Sequence, residues 1–251
     1  MLTIKLIRLG MIFLLIDKIS KAVPESNPLF NTDFDILSGF SNTSVGAISL
    51  DANTTGNYNT GLGYETLSTN TTGANNVAIG GSTLRDNTTA SNNTGVGYNA
   101  LLVNTTGNPN TAVGAECLDA NTTGGSLTAV GYRALSGNTT AGSNTAVGTN
   151  ALLTTTTGHS HVAVGTNALD AVTTGTDNIG IGLNAGGALT TGSYSIAIGT
   201  NAVAAATTEL FNIGIGVHAL KNEALGTGNI AIGHASLEDS NGGYYNTAVG
   251  Y

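Results

Sequence analysis

A chain of 251 residues with 36 glycines, no tryptophan and only 9% charged residues does not have the composition of an ordinary globular protein. Hydrophobic residues still make up 40% of the chain, which is too many for a disordered segment, so the low complexity favours a repeat architecture. The net charge is −8, and only three of the seven basic residues follow position 22, which argues against nucleic-acid binding.

Residues 1–22 predict a hydrophobic leader. Lys5 and Arg8 precede the apolar run 9–16, and the small residues within 20–22 lie where a signal peptidase would cut, so one interpretation is a secretory leader. The other is a retained cap that covers the open end of a repeat rod. A stable membrane span is not expected, because a spanning helix takes about 20 apolar residues.

Residues 23–41 break the pattern that follows and contain two of the three prolines and three of the five phenylalanines. They are predicted to be a linker and the cap of the first repeat.

From Asn42 to Tyr251 the sequence repeats every 17 residues without an insertion or deletion. The common unit is N-T-A-V-G-Y-N-A-L-x-x-N-T-T-G-x-x, and its residues are called positions 1 to 17. The twelve full units and the partial thirteenth begin at residues 42, 59, 76, 93, 110, 127, 144, 161, 178, 195, 212, 229 and 246.

Each unit predicts one coil of a parallel β-solenoid. Positions 2 and 4 carry β-branched or Leu residues, which lie on one face of a strand because side chains alternate. Leu at position 9 and the N-T-T-G turn complete the coil. We expect positions 2, 4 and 9 to form aliphatic columns in the core once the coils stack. The fold class is therefore all-β, and residues 42–251 form the solenoid domain.

Position 5 is glycine in every unit, which predicts a corner that needs positive φ or close backbone approach. These predicted structural turns are Gly46, Gly63, Gly80, Gly97, Gly114, Gly131, Gly148, Gly165, Gly182, Gly199, Gly216, Gly233 and Gly250.

Position 3 is Ala, Gly or Ser in every unit and alternates with positions 2 and 4, so we expect it to face away from the core. A column exposed to solvent would vary in size, which favours a buried seam between chains. The alternative is that small residues suit a thin strand beside a glycine corner. The predicted seam residues are Ala78, Ala112, Ala129, Ala146, Ala163, Ala197 and Ala231.

The segment 195–204 reads S-I-A-I-G-T-N-A-V-A, which resembles the head repeats of YadA-like trimeric autotransporter adhesins. Segments 93–101 and 144–152 also resemble NTAVGYNAL-type repeats of phage and viral fibre proteins. The resemblance covers residues 42–251. It implies a left-handed β-roll that assembles as a trimer in an adhesive or spacer fibre, either secreted or on the surface of a cell or virion.

No catalytic, cofactor or metal site is predicted. His159 and His161 are near neighbours, but no third or fourth ligand recurs beside them, and His218 and His234 lie far away in sequence. No nucleophile, base and orienting acid stand out from the repeat. Cys117 is the single cysteine, so the chain cannot form an internal disulfide.

Position 12 is asparagine in the first six units, each followed by Thr-Thr. These are formal glycosylation sequons. The alternative is a column of turn side chains that hydrogen-bond along the stack. The residues are Asn53, Asn70, Asn87, Asn104, Asn121 and Asn138.

The predicted function is a structural fibre component, adhesin-like or spacer, whose partners are copies of itself and a host-surface or matrix receptor. The sequence stops on the strand of a thirteenth unit, which either continues in a longer protein or docks head-to-tail on another copy. An ice-binding solenoid is the alternative function, because threonine fills positions 13 and 14 in ten units.

Overall fold

The computed structural model describes residues 41–222, 226–240 and 242–251. The predicted leader, residues 1–22, and the predicted linker up to residue 40 lie outside the described residues. Within the described part the chain forms thirteen strands and no helix, so none that could cross a membrane. The strands are β1 Thr43–Val45, β2 Thr60–Leu62, β3 Val77–Ile79, β4 Thr94–Val96, β5 Asn110–Val113, β6 Leu127–Val130, β7 Thr145–Val147, β8 Val162–Val164, β9 Ile179–Ile181, β10 Ile196–Ile198, β11 Ile213–Ile215, β12 Ile230–Ile232 and β13 Thr247–Val249.

The thirteen strands form one parallel sheet in sequence order, β1 to β13. Each residue pairs with the residue 17 positions later, as Thr43 does with Thr60 and Val45 with Leu62. The predicted parallel β-solenoid, with one 17-residue unit per coil, is therefore confirmed. Twelve coil spacings of about 4.8 Å give a rod about 58 Å long.

Left-handed backbone conformations turn the chain back on itself after each corner glycine. Positions 7 and 9 have positive φ in coil after coil, as at Asn99 (φ 56°) and Leu101 (φ 53°). Their N–H groups donate to the neighbouring coils: Asn99 N to Gly81 O at 3.0 Å and Leu101 N to Cys117 O at 3.0 Å. Because these hydrogen bonds join coils, a single coil could not hold this backbone, and stacking stabilises it.

The core is a narrow column of leucines and small side chains. Leucines at position 9, such as Leu101 and Leu118, have no exposed surface, and alanines at positions 3 and 8 pack beside them. Coil 9 departs from this pattern, because position 9 is Gly186. Leu189, at position 12 of the same coil, fills the core there, and its Cδ1 would lie 3.2 Å from a Cβ built on Gly186. The core volume is thus kept while the leucine changes position.

The strands face the opposite way to our prediction. Position 3 points into the core, and the β-branched side chains at positions 2 and 4 point outward, as Ala163 (0% exposed) between Val162 and Val164 (both 37%) shows. Size explains the orientation, because the interior beside the strand is already occupied. A Cβ built on Gly95, at position 3, would lie 2.6 Å from Thr83 Cγ2 of the preceding coil.

Candidate functional site

The outer face of the sheet is a continuous strip without charge. We call the side chains at positions 2 and 4 of all thirteen coils the outer strip. None of its 26 residues is charged, and all are Thr, Val, Ile or Leu. The strip is about 60 Å long and about 10 Å wide, so each chain presents roughly 600 Å² of this surface. The largest apolar patch on a typical monomer is about 300–600 Å² and is often functional, so the strip is a candidate interaction surface.

The strip changes character along the rod. Position 2 is threonine in six of the first seven coils, whereas it is Val162 in coil 8 and isoleucine in coils 9 to 12. Position 4 is aliphatic throughout. Coils 8 to 12 therefore present two adjacent aliphatic columns, whose exposed members include Ile181 (38%) and Ile232 (39%). The most apolar part of the outer strip is this segment.

The seven alanines predicted to form an inter-chain seam lie inside the chain instead. Each is fully buried by residues of its own chain, so the assignment to an inter-chain seam is corrected. A second chain could not contact them without opening the coil. Their small size has an intrachain cause, because side chains of the preceding coil fill the space beside position 3. Even a Cβ built on Gly180, at position 3 of coil 9, would lie 2.7 Å from Leu169 Cγ. The buried alanines are Ala78, Ala112, Ala129, Ala146, Ala163, Ala197 and Ala231.

All thirteen predicted corner glycines have φ between 121° and 144°. Successive corners also stack closely on one another. A Cβ built on Gly148 would lie 2.5 Å from Gly165 O and 2.6 Å from Gly165 C. Real Cβ atoms do not approach backbone that closely, so the corner requires glycine for its φ and for the stacking of the coils.

An asparagine ladder runs along the rod at position 1. Asn42 Oδ1 accepts from Asn59 N at 2.8 Å, and Asn59 Nδ2 donates to Gly73 O of its own coil at 2.8 Å. Each amide thus joins two coils and closes its own coil. The position-1 asparagines of coils 2 to 5, from Asn59 to Asn110, are almost completely buried. This ladder supplies the polar contacts that a thin core lacks.

A second ladder runs along position 12 of the first six coils. Asn87 Nδ2 donates to Asn70 Oδ1 at 2.8 Å and to Ala90 O at 3.0 Å. The same side-chain contact links each coil to the one before it, as far as Asn138 and Asn121. The predicted hydrogen-bonded column is confirmed, and the amide nitrogens of these six sequons are buried in the folded rod.

The two threonine columns at positions 13 and 14 differ in what their hydroxyls do. At position 13 the hydroxyl donates to the carbonyl of the same position in the next coil, as Thr71 Oγ1 does to Thr88 O at 3.0 Å. At position 14 the ten threonines are exposed and form a single file. They are Thr55, Thr72, Thr89, Thr106, Thr123, Thr140, Thr157, Thr174, Thr191 and Thr208.

His161 is a buried titratable group that takes the place of asparagine in the position-1 ladder. Its Nε2 lies 2.8 Å from Gly175 O, and Asn178 N donates to its Nδ1 at 3.2 Å. A carbonyl can only accept and a backbone N–H can only donate, so the ring is neutral with its proton on Nε2. Burial lowers the pKa of His161.

Cys117 fills position 8 of coil 5 and is fully buried. Burial raises the pKa of its thiol to about 12. A thiol that stays protonated at neutral pH is a poor nucleophile, so the site is structural. In the described part of the chain no three His, Cys, Asp or Glu side chains are grouped as metal ligands would be.

Two sets of exposed aromatic side chains were not singled out by the sequence analysis. Tyr64, Tyr98 and Tyr132 occupy position 6 of coils 2, 4 and 6, and each is about half exposed or more. Tyr194 and Phe211 occupy position 17 of consecutive coils and stack on each other, with ring centroids 5.2 Å apart. The alternation at position 6 was readable in the repeat, because Gly81 and Ala115 stand between the tyrosines.

Comparison of the chain with protein-family models, with curated proteins and with solved structures gives no match.

Proposed function

We propose that the chain is a structural rod, adhesin-like or a spacer, that assembles with copies of itself through the outer strip and has no catalytic role. The single observation that carries the proposal is the strip itself, which is uncharged on all thirteen strands. A surface of about 60 Å by 10 Å suits a partner that is equally long and has the same coil spacing. Another copy of the same chain meets that requirement.

The size of the strip agrees with self-association. About 600 Å² per chain is close to the roughly 800 Å² per partner of a standard stable interface. The aliphatic columns of coils 8 to 12 would supply the apolar centre, and the threonines of the first coils would form a more polar part. Burial of the strip would also remove exposed β-branched side chains such as Ile181 and Ile232 from water.

We propose a trimer of left-handed coils as the specific arrangement, because the repeat resembles YadA-like head repeats. Three strips that meet on one axis cover one another, which leaves the position-14 side of each rod free. We further propose that the fibre is secreted or displayed on a cell or virion, where it contacts a host-surface or matrix receptor.

The mass of the full-length chain in solution tests this proposal. We expect three times the monomer mass of 25.0 kDa by light scattering. The double variant Ile181→Lys/Ile232→Lys places two charges in the strip and should dissociate the trimer, because burying an unpaired charge in an interface carries a large desolvation penalty. The control Thr174→Lys/Thr208→Lys adds the same charges at position 14 and should leave the mass unchanged. A monomeric wild type, or a double strip variant that stays trimeric, contradicts the proposal.

An ice-binding rod is the second candidate, and the exposed file of ten position-14 threonines favours it. The position-13 hydroxyls argue against it, because they donate to carbonyls of the next coil and leave one threonine file instead of two. Thermal hysteresis of the purified rod separates the candidates. An ice binder shows hysteresis that Thr174→Lys/Thr208→Lys reduces, and the fibre proposal expects none.

A further inference from the structure

A regular alternation of small and aromatic side chains runs along position 6 of the first six coils. The column reads Ala, Tyr, Gly, Tyr, Ala, Tyr. Tyr64, Tyr98 and Tyr132 are 55%, 60% and 48% exposed. Equivalent tyrosines are two coils apart, which is about 9.6 Å along the rod.

The small residues between the tyrosines keep the rings apart. Where aromatic residues occupy consecutive coils, the rings stack on each other, as Tyr194 and Phe211 do with an interplanar angle of 9°. Among the described residues no ring contact involves Tyr64, Tyr98 or Tyr132. The edge of the Tyr98 ring instead lies over the coil below, with Cδ2 3.5 Å from a Cβ built on Gly81. With no ring stacked on it and about half of its surface exposed, each tyrosine is accessible to a ligand.

The tyrosines stand on a rigid backbone. The carbonyls of Tyr64 and Tyr98 accept from Ser82 N and Glu116 N of the next coils, both at 2.8 Å. The backbone positions that carry the rings are thus fixed in register along the rod, so a long ligand does not have to order the backbone beneath it.

A polar column runs next to the tyrosines at position 7. Ser82 Oγ donates to Glu65 Oε2 at 3.3 Å, and Arg133 Nε lies 3.6 Å from Glu116 Oε2. Asn99 adds an amide between them. Carboxylate, hydroxyl, amide and guanidinium groups are the hydrogen-bonding partners that sugar hydroxyls require.

We propose that the tyrosine column binds a neutral, extended β-1,4-linked polysaccharide that lies along the rod. The C–H groups on one face of a pyranose ring pack against an aromatic face, which attracts them through dispersion and its negative quadrupole. In a β-1,4-linked chain alternate sugars present the same face, and two sugars advance by about the same length as two coils. Each tyrosine then meets an equivalent sugar, and the position-7 groups hydrogen-bond to its hydroxyls.

The charge of the chain favours a neutral ligand over an anionic one. The net charge is −8, and Glu65 and Glu116 lie next to the tyrosines, so a sulfated or uronate polymer would be repelled. The inference builds on the proposed role as an adhesin-like rod and names the class of receptor. It concerns coils 2 to 6, whereas the apolar centre of the proposed self-association lies in coils 8 to 12.

The test measures retention of the full-length chain on insoluble β-1,4-glucan and its affinity for the soluble β-1,4-linked glucose hexamer by calorimetry. We expect retention of the wild type and none on α-1,4-glucan, whose chain coils and does not repeat at this spacing. Tyr98→Ala should weaken hexamer binding roughly 2- to 10-fold, since one aromatic contact is lost. The triple alanine variant of Tyr64, Tyr98 and Tyr132 should abolish retention.

Two control variants keep the aromatic content or alter it elsewhere. Phe211→Ala removes an exposed ring outside the column and should bind as the wild type does. Tyr98→Ala/Ala115→Tyr keeps three tyrosines but places two in consecutive coils, where they should stack, so it should bind as weakly as Tyr98→Ala. Circular dichroism and melting temperature establish that each variant is folded.

The inference is overturned if the folded wild type is not retained, if the triple variant binds equally, or if Tyr98→Ala/Ala115→Tyr binds as well as the wild type. It is also overturned if the triple variant loses self-association rather than glucan binding, because the column would then belong to the inter-copy surface. Solution mass is measured on the same samples, so failure of polysaccharide binding with an intact trimer leaves the structural proposal standing.

Discussion

Asn138 and Thr155 occupy position 12 in consecutive coils, and the ladder ends between them. Asn138 Nδ2 donates to Asn121 Oδ1 at 2.8 Å, but Asn138 Oδ1 and Thr155 Oγ1 are both buried without a hydrogen-bond partner. In the five coils before, the same oxygen accepts from the next asparagine. The rod therefore contains an unsatisfied polar pair at the junction of coils 6 and 7.

Replacement of Thr155 by valine should stabilise the rod. Valine has nearly the same shape, and it removes a buried hydroxyl whose desolvation no hydrogen bond offsets. We therefore expect the free energy of unfolding to rise by about 1 kcal/mol. Thr156→Val is the matched control. That hydroxyl donates to Thr173 O at 3.2 Å in an exposed column, so its loss should be neutral or slightly destabilising. Urea denaturation of both variants measures the difference, and a destabilised Thr155→Val contradicts the assignment.

The corner glycines give a second prediction. Gly148→Ala should destabilise the rod by roughly 1–3 kcal/mol from backbone strain at φ 136°, with the clash against Gly165 O added to it. Gly81→Ala is the control, because its φ is ordinary and its new Cβ would meet only the Tyr98 ring, at 3.5 Å from Cδ2 and 3.9 Å from Cε2. Melting temperatures compare the two, and equal stability would show that the corner tolerates a side chain.

The period, the corners and the leucine core could be predicted from the sequence, because each depends on a residue type that recurs at a fixed spacing. The orientation of the strands could not. Alternation establishes that positions 2 and 4 share a face and that position 3 takes the other, but not which face is inside. Side-chain size decides this, since the space beside the strand is already occupied by position 8 or 9 of the preceding coil, as Gly95 and Thr83 show.

The exchange of Leu between positions 9 and 12 in coil 9 has the same origin. In the sequence, Gly186 and Leu189 look like two unrelated departures from the repeat. In the folded coil the Leu189 side chain fills the core space that a side chain at position 186 would occupy. The end of the position-12 ladder, by contrast, is visible in the sequence, where Asn138 is followed 17 residues later by Thr155. Its consequence required the coordinates, because an unpartnered oxygen is a property of packing.

Acid should destabilise the rod through His161. The neutral ring accepts from Asn178 N, so a proton on Nδ1 would face another donor in a buried site. Burial is the main reason that the pKa of His161 lies below its ordinary value of 6.5. The hydrogen bond to Gly175 O and the charge of Asp177 raise this pKa, and His159 lowers it, each by less than burial does. Below pH 6.5 the unfolded chain binds the proton and the folded chain does not, so stability falls as pH falls, by at most about 1.4 kcal/mol per pH unit.

The variant His161→Asn isolates this effect, because asparagine is the residue at position 1 in the adjacent coils, Asn144 and Asn178. We expect the free energies of unfolding of the wild type and the variant to diverge between pH 6.5 and 5, with the variant less sensitive to acid. Carboxylates titrate equally in both proteins and cancel in the comparison. Parallel pH profiles would show that the imidazole is protonated without cost.

Deletion of a whole coil should leave a folded rod, whereas deletion of a single residue should not. Removal of residues 76–92 brings Asn93 N to Asn59 Oδ1 and places Leu101 over Leu67, so the asparagine ladders, the corner glycines and the leucine core continue with the same residue types. Stability in a stacked array is close to a sum over neighbouring units, so this variant should lose about one coil's share. Its circular dichroism per residue should match that of the full chain.

Deletion of Thr89 alone tests the register. Asn87 Nδ2 reaches Ala90 O at 3.0 Å, and Asn76 Nδ2 donates to the same carbonyl at 2.9 Å. A turn shortened by one residue moves this carbonyl away from both amides and costs at least about 2 kcal/mol, at about 1 kcal/mol for each hydrogen bond. It also shifts the following strand against its neighbour, which would turn outward side chains such as Val96 towards the core unless the coil distorts.

The urea midpoints of unfolding rank the two deletion variants, and the fold predicts that the loss of one residue lowers stability more than the loss of seventeen. Equal midpoints would mean that the coils are not held in register by their ladders.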